Sequence, residues 1–213
     1  LHCHARAKLN DYYGDDIVSN SGPLPVHLLG NMWGQTWSNI YDIIYTEGSK
    51  SNSVNVTRII EEKSLTEIEM VEYAEDFFLS IGFKPLPDTF WERSLFVKPN
   101  DRSVVCHASA WNLDPANNDL RIKMCIEKNE EDFITIHHEL GHIFYYQAYN
   151  HLPYLFQGGA NDGFHEAFGD LLTLSITPDY LMNIGFISED EATIAKEDPI
   201  GLLMKQALEG VVV

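Results

Sequence analysis

Residues 130–147 read EEDFITIHHELGHIFYYQ, and the reading of this stretch decides the fold. Phe133, Ile136, Leu140 and Ile143 recur at three- and four-residue intervals, the repeat of one apolar helical face. Asn129 stands where an N-cap belongs. Glu130, Glu131 and Asp132 fill the first turn, where the positive end of the helix dipole favours carboxylates. The pattern predicts a helix from residue 130 through Gln147. On it His138 and His142 are four residues apart, about 40° around the axis and one turn along it, so both imidazoles can approach one ion. Glu139 flanks the same point without having to bind the ion. Two histidines with a glutamate beside the first are the donor set of a catalytic zinc helix, where the glutamate takes a proton from the attacking water.

The competing explanation is coincidence, but nine histidines in 213 residues supply roughly 0.03 such patterns by chance. A third ligand is the stronger discriminator. Residues 158–176, GGANDGFHEAFGDLLTLSI, provide a turn and then a helix carrying Glu166, with Asp170 one turn further on the same face. Glu166 completes a set of two histidines and one carboxylate with a fourth position open, and Asp170 can hold a ligand histidine through its other ring nitrogen. His137 points about 100° away from His138 and reads as packing. His2, His4, His27 and His151 have no second ligand at helical spacing, and Trp33, Trp37 and Tyr41 read as a packing stripe.

The rest of the chain fits a globular, mainly α protein. Hydrophobic residues make up 45% and charged residues 22% of the sequence, which excludes a disordered chain. Fourteen Lys and Arg against 32 Asp and Glu give a net charge of -18, the wrong sign for nucleic acid or an anionic membrane surface as partner. No run reaches the roughly 18 to 20 apolar residues of a membrane helix, and no signal peptide opens the chain. It starts LHCHARAKLN without an initiator methionine and stops at EGVVV, so an interior portion of a longer protein is expected.

Residues 32–44, MWGQTWSNIYDII, read as a helix after the turn SGPLP. Residues 65–82 read as another, with Thr66 and Glu69 as a capping box, Met70, Phe77 and Ile81 along one side, and Gly82 and Pro85 as its stop. A second capping box, Ser188 with Glu191, opens SEDEATIAK, and Asp198-Pro199 starts a last helix through IGLLMKQALE. RSVVCHASAW (102–111) and LRIKMCI (120–126) read as two strands of a hairpin around DPANND.

Cys106 and Cys125 bracket that hairpin. Their spacing admits either a disulfide, worth about 3 kcal/mol by chain entropy, or two separate buried thiols. Asn55-Val56-Thr57 is a glycosylation sequon in a polar run. Together these features point to an extracellular setting, with Cys3 left unpaired within this chain.

The segments HLLGNMWGQTWSNIYD, VVCHASAW, HHELGH and GANDGFHEAFGD, in that order, closely resemble the angiotensin-converting enzyme family of peptidyl-dipeptidases, and the resemblance runs to about residue 209. It implies zinc held by His138, His142 and Glu166, with Glu139 as general base, Asp170 supporting a ligand, and a Cys106–Cys125 disulfide. It implies that His107, Ala108 and Ala110 bind the backbone of an oligopeptide substrate, where the residues alone read as a hairpin beside a disulfide. Gln35 would bind the substrate's terminal carboxylate. The implied fold is part of a helical ellipsoid with a central substrate channel, the implied location extracellular, whether secreted or anchored by a segment outside this chain. The implied activity is release of C-terminal dipeptides, because Gln35 stands where the single-residue carboxypeptidase branch carries arginine.

By the same resemblance, residues 1–213 are the central part of a single catalytic domain, without its N-terminal lid helices. Also outside are its C-terminal donors to the transition state and the chloride-binding arginine of the full-length protein. A weakly active or inactive portion is therefore expected, with two alternatives: the carboxypeptidase branch of the same family, which releases one residue, and, from another class, a non-catalytic zinc- or partner-binding form.

Overall fold

The computed structural model describes residues 2–30, 34, 37–45 and 54–210. Among these the chain is mainly α. In order, the elements are α1 (His2–Tyr13), α2 (Tyr41–Ile44), α3 (Val56–Lys63), α4 (Glu67–Ser80), α5 (Asp88–Arg93), strands β1 (Ser109–Asp114) and β2 (Asp119–Lys123), α6 (Glu130–Asn150), α7 (Asp162–Thr173), α8 (Pro178–Asn183), α9 (Glu189–Ala195) and α10 (Pro199–Gly210). They divide into two units, one made of Leu1–Val54 with Ser188–Val213, the other of Asn55–Ile187. A mainly helical chain with one small antiparallel hairpin is what the periodicity predicts. No described helix is long and apolar enough to cross a membrane.

In the first unit Ala5 and Leu9 of α1, Trp37, Ile40, Ile44 and Leu208 of α10 form one buried cluster. The Trp37 amide donates to the Leu208 carbonyl, and the Tyr41 hydroxyl donates to the carbonyl of Gly201. Of the helix expected over residues 32–44, Trp33 and Gln35 lie outside the described residues; the described part is a 3-10 turn at Ser38–Ile40 leading into the single turn of α2. The capping box of Ser188 and Glu191 forms as expected.

In the second unit α6 is the axis, with the carbonyl-to-amide ladder of 21 residues. Phe133, Ile136, Leu140 and Ile143 are all fully buried, as their spacing requires. Asn129 accepts from the Asp132 amide as N-cap, and the Glu130 amide donates to the hydroxyl of Thr57. Helix α4 packs on this face through Phe78, whose ring stacks on Phe144 with centroids 4.2 Å apart. Its capping box at Thr66 is made, but its buried side is Met70, Val71, Ala74 and Phe78. Phe77 is only half-buried and Ile81, beyond the helix, is 52% exposed. The 3.6-residue period is compatible with both stripes, and contact with α6 chose between them.

The hairpin also departs from the expected bounds. β1 begins at Ser109, and Arg102–His107 has no regular structure. β2 ends at Lys123 because the next backbone groups change partner: the amides of Met124 and Ile126 donate to the carbonyls of Leu95 and Phe96. Cys106 and Cys125 are disulfide-bonded, with Cα atoms 5.0 Å apart, which ties the two irregular ends together at the open end of the hairpin. β1 is fastened to the C-terminal half of α6 by reciprocal amide bonds between Asn112 and Asn150.

Candidate metal centre

Helices α6 and α7 meet where neither has a side chain. A Cβ added to Gly141 would lie 3.0 Å from the Gly169 Cα, and one added to Gly169 would lie 2.8 Å from Nδ1 of His138, so a side chain at the first would press on the α7 backbone and at the second on the His138 ring. Glycine in a helix interior costs about 0.5–1 kcal/mol relative to alanine, and here it brings the ligand-bearing faces together. Asn161 caps α7 by accepting from the Phe164 amide, which fixes the phase of the helix that carries Glu166 and Asp170.

The result is a convergent donor set. Nε2 of His138 lies 3.2 Å from Glu166 Oε2, and Nε2 of His142 lies 3.5 Å from the same oxygen. One donor atom from each of the three residues falls within 4.8 Å of the others, the one such group of three among the described residues. A tetrahedral zinc with ligands at ~2.0–2.2 Å has ligand-to-ligand edges of roughly 3.3 Å, so these separations and this chemistry fit zinc. The side of the set formed by Glu166 is open, its side chain 65% exposed.

The ring nitrogens on the far side are engaged as well. His138 Nδ1 is 3.0 Å from Asp170 Oδ1, and His142 Nδ1 is 2.7 Å from Nδ1 of His165. Burial disfavours the charged form of His138, but the Asp170 carboxylate at Nδ1 and the charges of Glu139, Asp170 and Glu166 outweigh it and raise its pKa. Burial and the neighbouring His138 drive His142 the other way.

Glu139 lies beside the set, buried, and its Oε2 has no hydrogen-bond partner among the described residues. Burial pushes its pKa up to about 7, His138 opposing and Glu166 adding to the rise. An unpartnered buried carboxylate oxygen is costly and needs an explanation. A water held between it and a bound ion would supply one.

The predicted residues are therefore largely brought together. His138, Glu139, His142, Glu166 and Asp170 share one place. Ala110 joins them through Tyr146, whose hydroxyl donates to the Ala110 carbonyl at 3.5 Å and whose pKa is raised by burial and by the charges of Glu139 and Glu166. His107 is exposed and Ala108 half-buried in the segment leading into β1. Gln35 lies outside the described residues. Asn55 is exposed, its side chain accepting from the Arg58 amide as the cap of α3. His137 faces away, as its position on the helix requires. It is fully buried, with Nδ1 donating to the Phe133 carbonyl and Nε2 3.0 Å from the Tyr180 hydroxyl, and burial pushes its pKa down to about 4.

Sequence reasoning passed over His165 and the tyrosines around it. The signal was available: His165 immediately precedes Glu166, and Tyr145 and Tyr146 continue the face of α6 one turn beyond His142, with Tyr149 a further turn on.

A mainly α unit whose HExxH helix meets a glutamate-bearing helix defines a protein of the HExxH metal-site class. Comparison with known families narrows this to one. The family described as angiotensin-converting enzyme matches residues 1–213, and the chain belongs to that peptidase family. It is 45% identical to angiotensin-converting enzyme of Bos taurus over 211 residues, which is 98% of this chain and 16% of that protein. It is 46% identical to angiotensin-converting enzyme of Haematobia irritans exigua over 200 residues, 91% of this chain and 32% of that protein. Against the angiotensin-converting enzyme-related protein of Drosophila melanogaster the identity is 40% over 213 residues, 100% of this chain and 33% of that protein. The chain thus spans a third or less of the length of each of these relatives.

Proposed function

We propose that residues 1–213 are the central part of a single zinc metallopeptidase catalytic domain, and that the whole protein releases C-terminal dipeptides from oligopeptides. One observation carries the reading: donor atoms of His138, His142 and Glu166 converge within 4.8 Å beside a buried carboxylate oxygen of Glu139 that has no partner among the described residues. His138, His142 and Glu166 would hold the zinc. Bound there, zinc would supply Lewis acidity for the scissile carbonyl and the attacking water.

The protein's own groups do the rest. Glu139 Oε2 takes the proton of the attacking water and passes it to the leaving amine, so one carboxylate serves as base and then as acid. Asp170 holds His138 in the tautomer that presents Nε2 to the centre. β1 pairs with β2 on one side only among the described residues, leaving an edge where an extended peptide can add as a strand beside Ala110, with Ala108 and His107 at its entry. Gln35 would fix the terminal carboxylate two residues beyond the scissile bond. The disulfide and the exposed Asn55 support an extracellular, glycosylated protein. Chloride, in this reading, binds to parts of the full-length protein outside these residues.

Metal analysis of the intact protein tests the centre. One zinc at this site is expected, absent from a His138→Ala, His142→Ala double variant. Zinc retained at full stoichiometry by the double variant would overturn the assignment.

A further inference from the structure

His138 has both ring nitrogens committed, Nε2 towards Glu166 and Nδ1 to the Asp170 carboxylate. His142 is held in the same two-sided way, but by a different partner. Its Nε2 faces Glu166 Oε2, and its Nδ1 meets Nδ1 of His165 at 2.7 Å. Two imidazole nitrogens that close share one proton. When the Nε2 lone pair of His142 is turned to the donor set, the proton of that ring sits on Nδ1, so His142 donates and His165 accepts. His165 then carries its own proton on Nε2, 3.4 Å from the hydroxyl oxygen of Tyr149, which can accept it.

The acceptor is itself fixed. The rings of Tyr145 and Tyr146 lie 4.7 and 4.8 Å from that of His165, centroid to centroid. The Tyr145 hydroxyl is anchored by accepting from the Ala160 amide. On another side is Gly159, where a Cβ would come within 3.0 Å of His165 Cδ2. The His165 amide donates to the Asn161 carbonyl in the first turn of α7. Confined on these sides, the ring has little freedom to turn its Nδ1 away.

We propose that His165 is the positioning residue for the second metal ligand, doing for His142 what Asp170 does for His138. The proposal rests on the metal-centre reading given above. Partners of this kind orient a ligand ring and set its tautomer, and their loss costs typically ~10–100-fold in metal affinity.

The test compares two substitutions of nearly the same shape in the intact protein. His165→Leu removes the acceptor, and His165→Asn keeps one near the position of Nδ1. Zinc affinity is measured by competition with a chromophoric chelator, and apo-protein melting temperatures separate metal binding from folding. His165→Leu is expected to bind zinc about 10–100-fold more weakly than wild type, and His165→Asn to recover to within about threefold. In the cobalt-substituted protein the visible absorption should change in the leucine variant and be restored in the asparagine one. If the leucine variant does not fold, His165→Phe takes its place. Wild-type zinc affinity in the variant without an acceptor, or equal weakening in both variants, overturns the proposal while leaving the metal centre standing. Absence of zinc from the wild-type site overturns the metal centre and this proposal with it.

Discussion

Replacing Gly169 by alanine should damage the metal centre without touching a ligand. A Cβ at this position would lie 2.8 Å from His138 Nδ1, 2.9 Å from Cε1 and 3.0 Å from Cγ, where ordinary van der Waals contact starts at 3.4 Å. The ring has to retreat by about 0.6 Å, or α7 has to move away from α6, and zinc-ligand distances tolerate only ~0.2 Å. Retreat also strains the 3.0 Å contact between His138 and Asp170. Zinc affinity is expected to fall by at least about tenfold. Apo-protein stability should fall by only part of the overpacking cost of roughly 1–3 kcal/mol, because alanine gains roughly 0.5–1 kcal/mol of helix propensity. The assay is chelator competition for zinc, with apo-protein melting alongside. Gly158→Ala is the control, since its Cβ would meet nothing within 4 Å. Wild-type zinc affinity in Gly169→Ala would show that the close crossing of α6 and α7 does not set the ligand geometry.

Four further outcomes follow from the same structure. In the proposed mechanism Glu139 moves protons and binds no ion, so Glu139→Gln should retain zinc by metal analysis while kcat falls by about 100- to 10,000-fold; loss of zinc would make it a ligand. Mass spectrometry of products from an unblocked oligopeptide should show dipeptides leaving the C-terminus, and dominant release of single residues would refute the role given to Gln35. On the proposed reading of residues 1–213 as the central part of a catalytic domain, their kcat/KM when expressed alone should be at least about 100-fold below that of the whole protein, the typical cost of one transition-state donor, and activity within tenfold of it would be contrary. Asp119 accepts from Arg121 and then Arg93, which hold its carboxyl down at about 2 against an ordinary 3.8. A depressed folded-state value means that the ion pairs add stability above pH ~4 and lose it as pH falls towards 2. The difference in denaturation midpoint between wild type and Asp119→Asn should therefore shrink across that window, and a constant difference would refute it.

What the sequence determined by itself is whatever is encoded within a few residues. The i, i+4 spacing of His138 and His142, the carboxylates of the first turn, the cap at Asn129 and the boxes at Thr66 and Ser188 all act locally, and each is found as expected. Glu166 and Asp170 were legible because one helical turn separates them, as it does the histidines. Tertiary structure decided everything that depends on how two segments distant in the chain approach. The buried stripe of α4 was chosen by Phe144, and the ends of the strands by the carbonyls of Leu95 and Phe96. The Cys106–Cys125 pairing, open on spacing alone, was closed by the hairpin. Gly141 and Gly169 are ordinary helix interruptions in sequence, and only their meeting shows that they set the depth of the crossing. His165 is marked in the sequence only by its place next to Glu166, and its contact with His142 exists only once α7 is laid on α6. Helical periodicity fixes which residues share a face, but the rotation of that face about its axis is set by packing against another helix, and that packing brings Nδ1 of His165 to Nδ1 of His142.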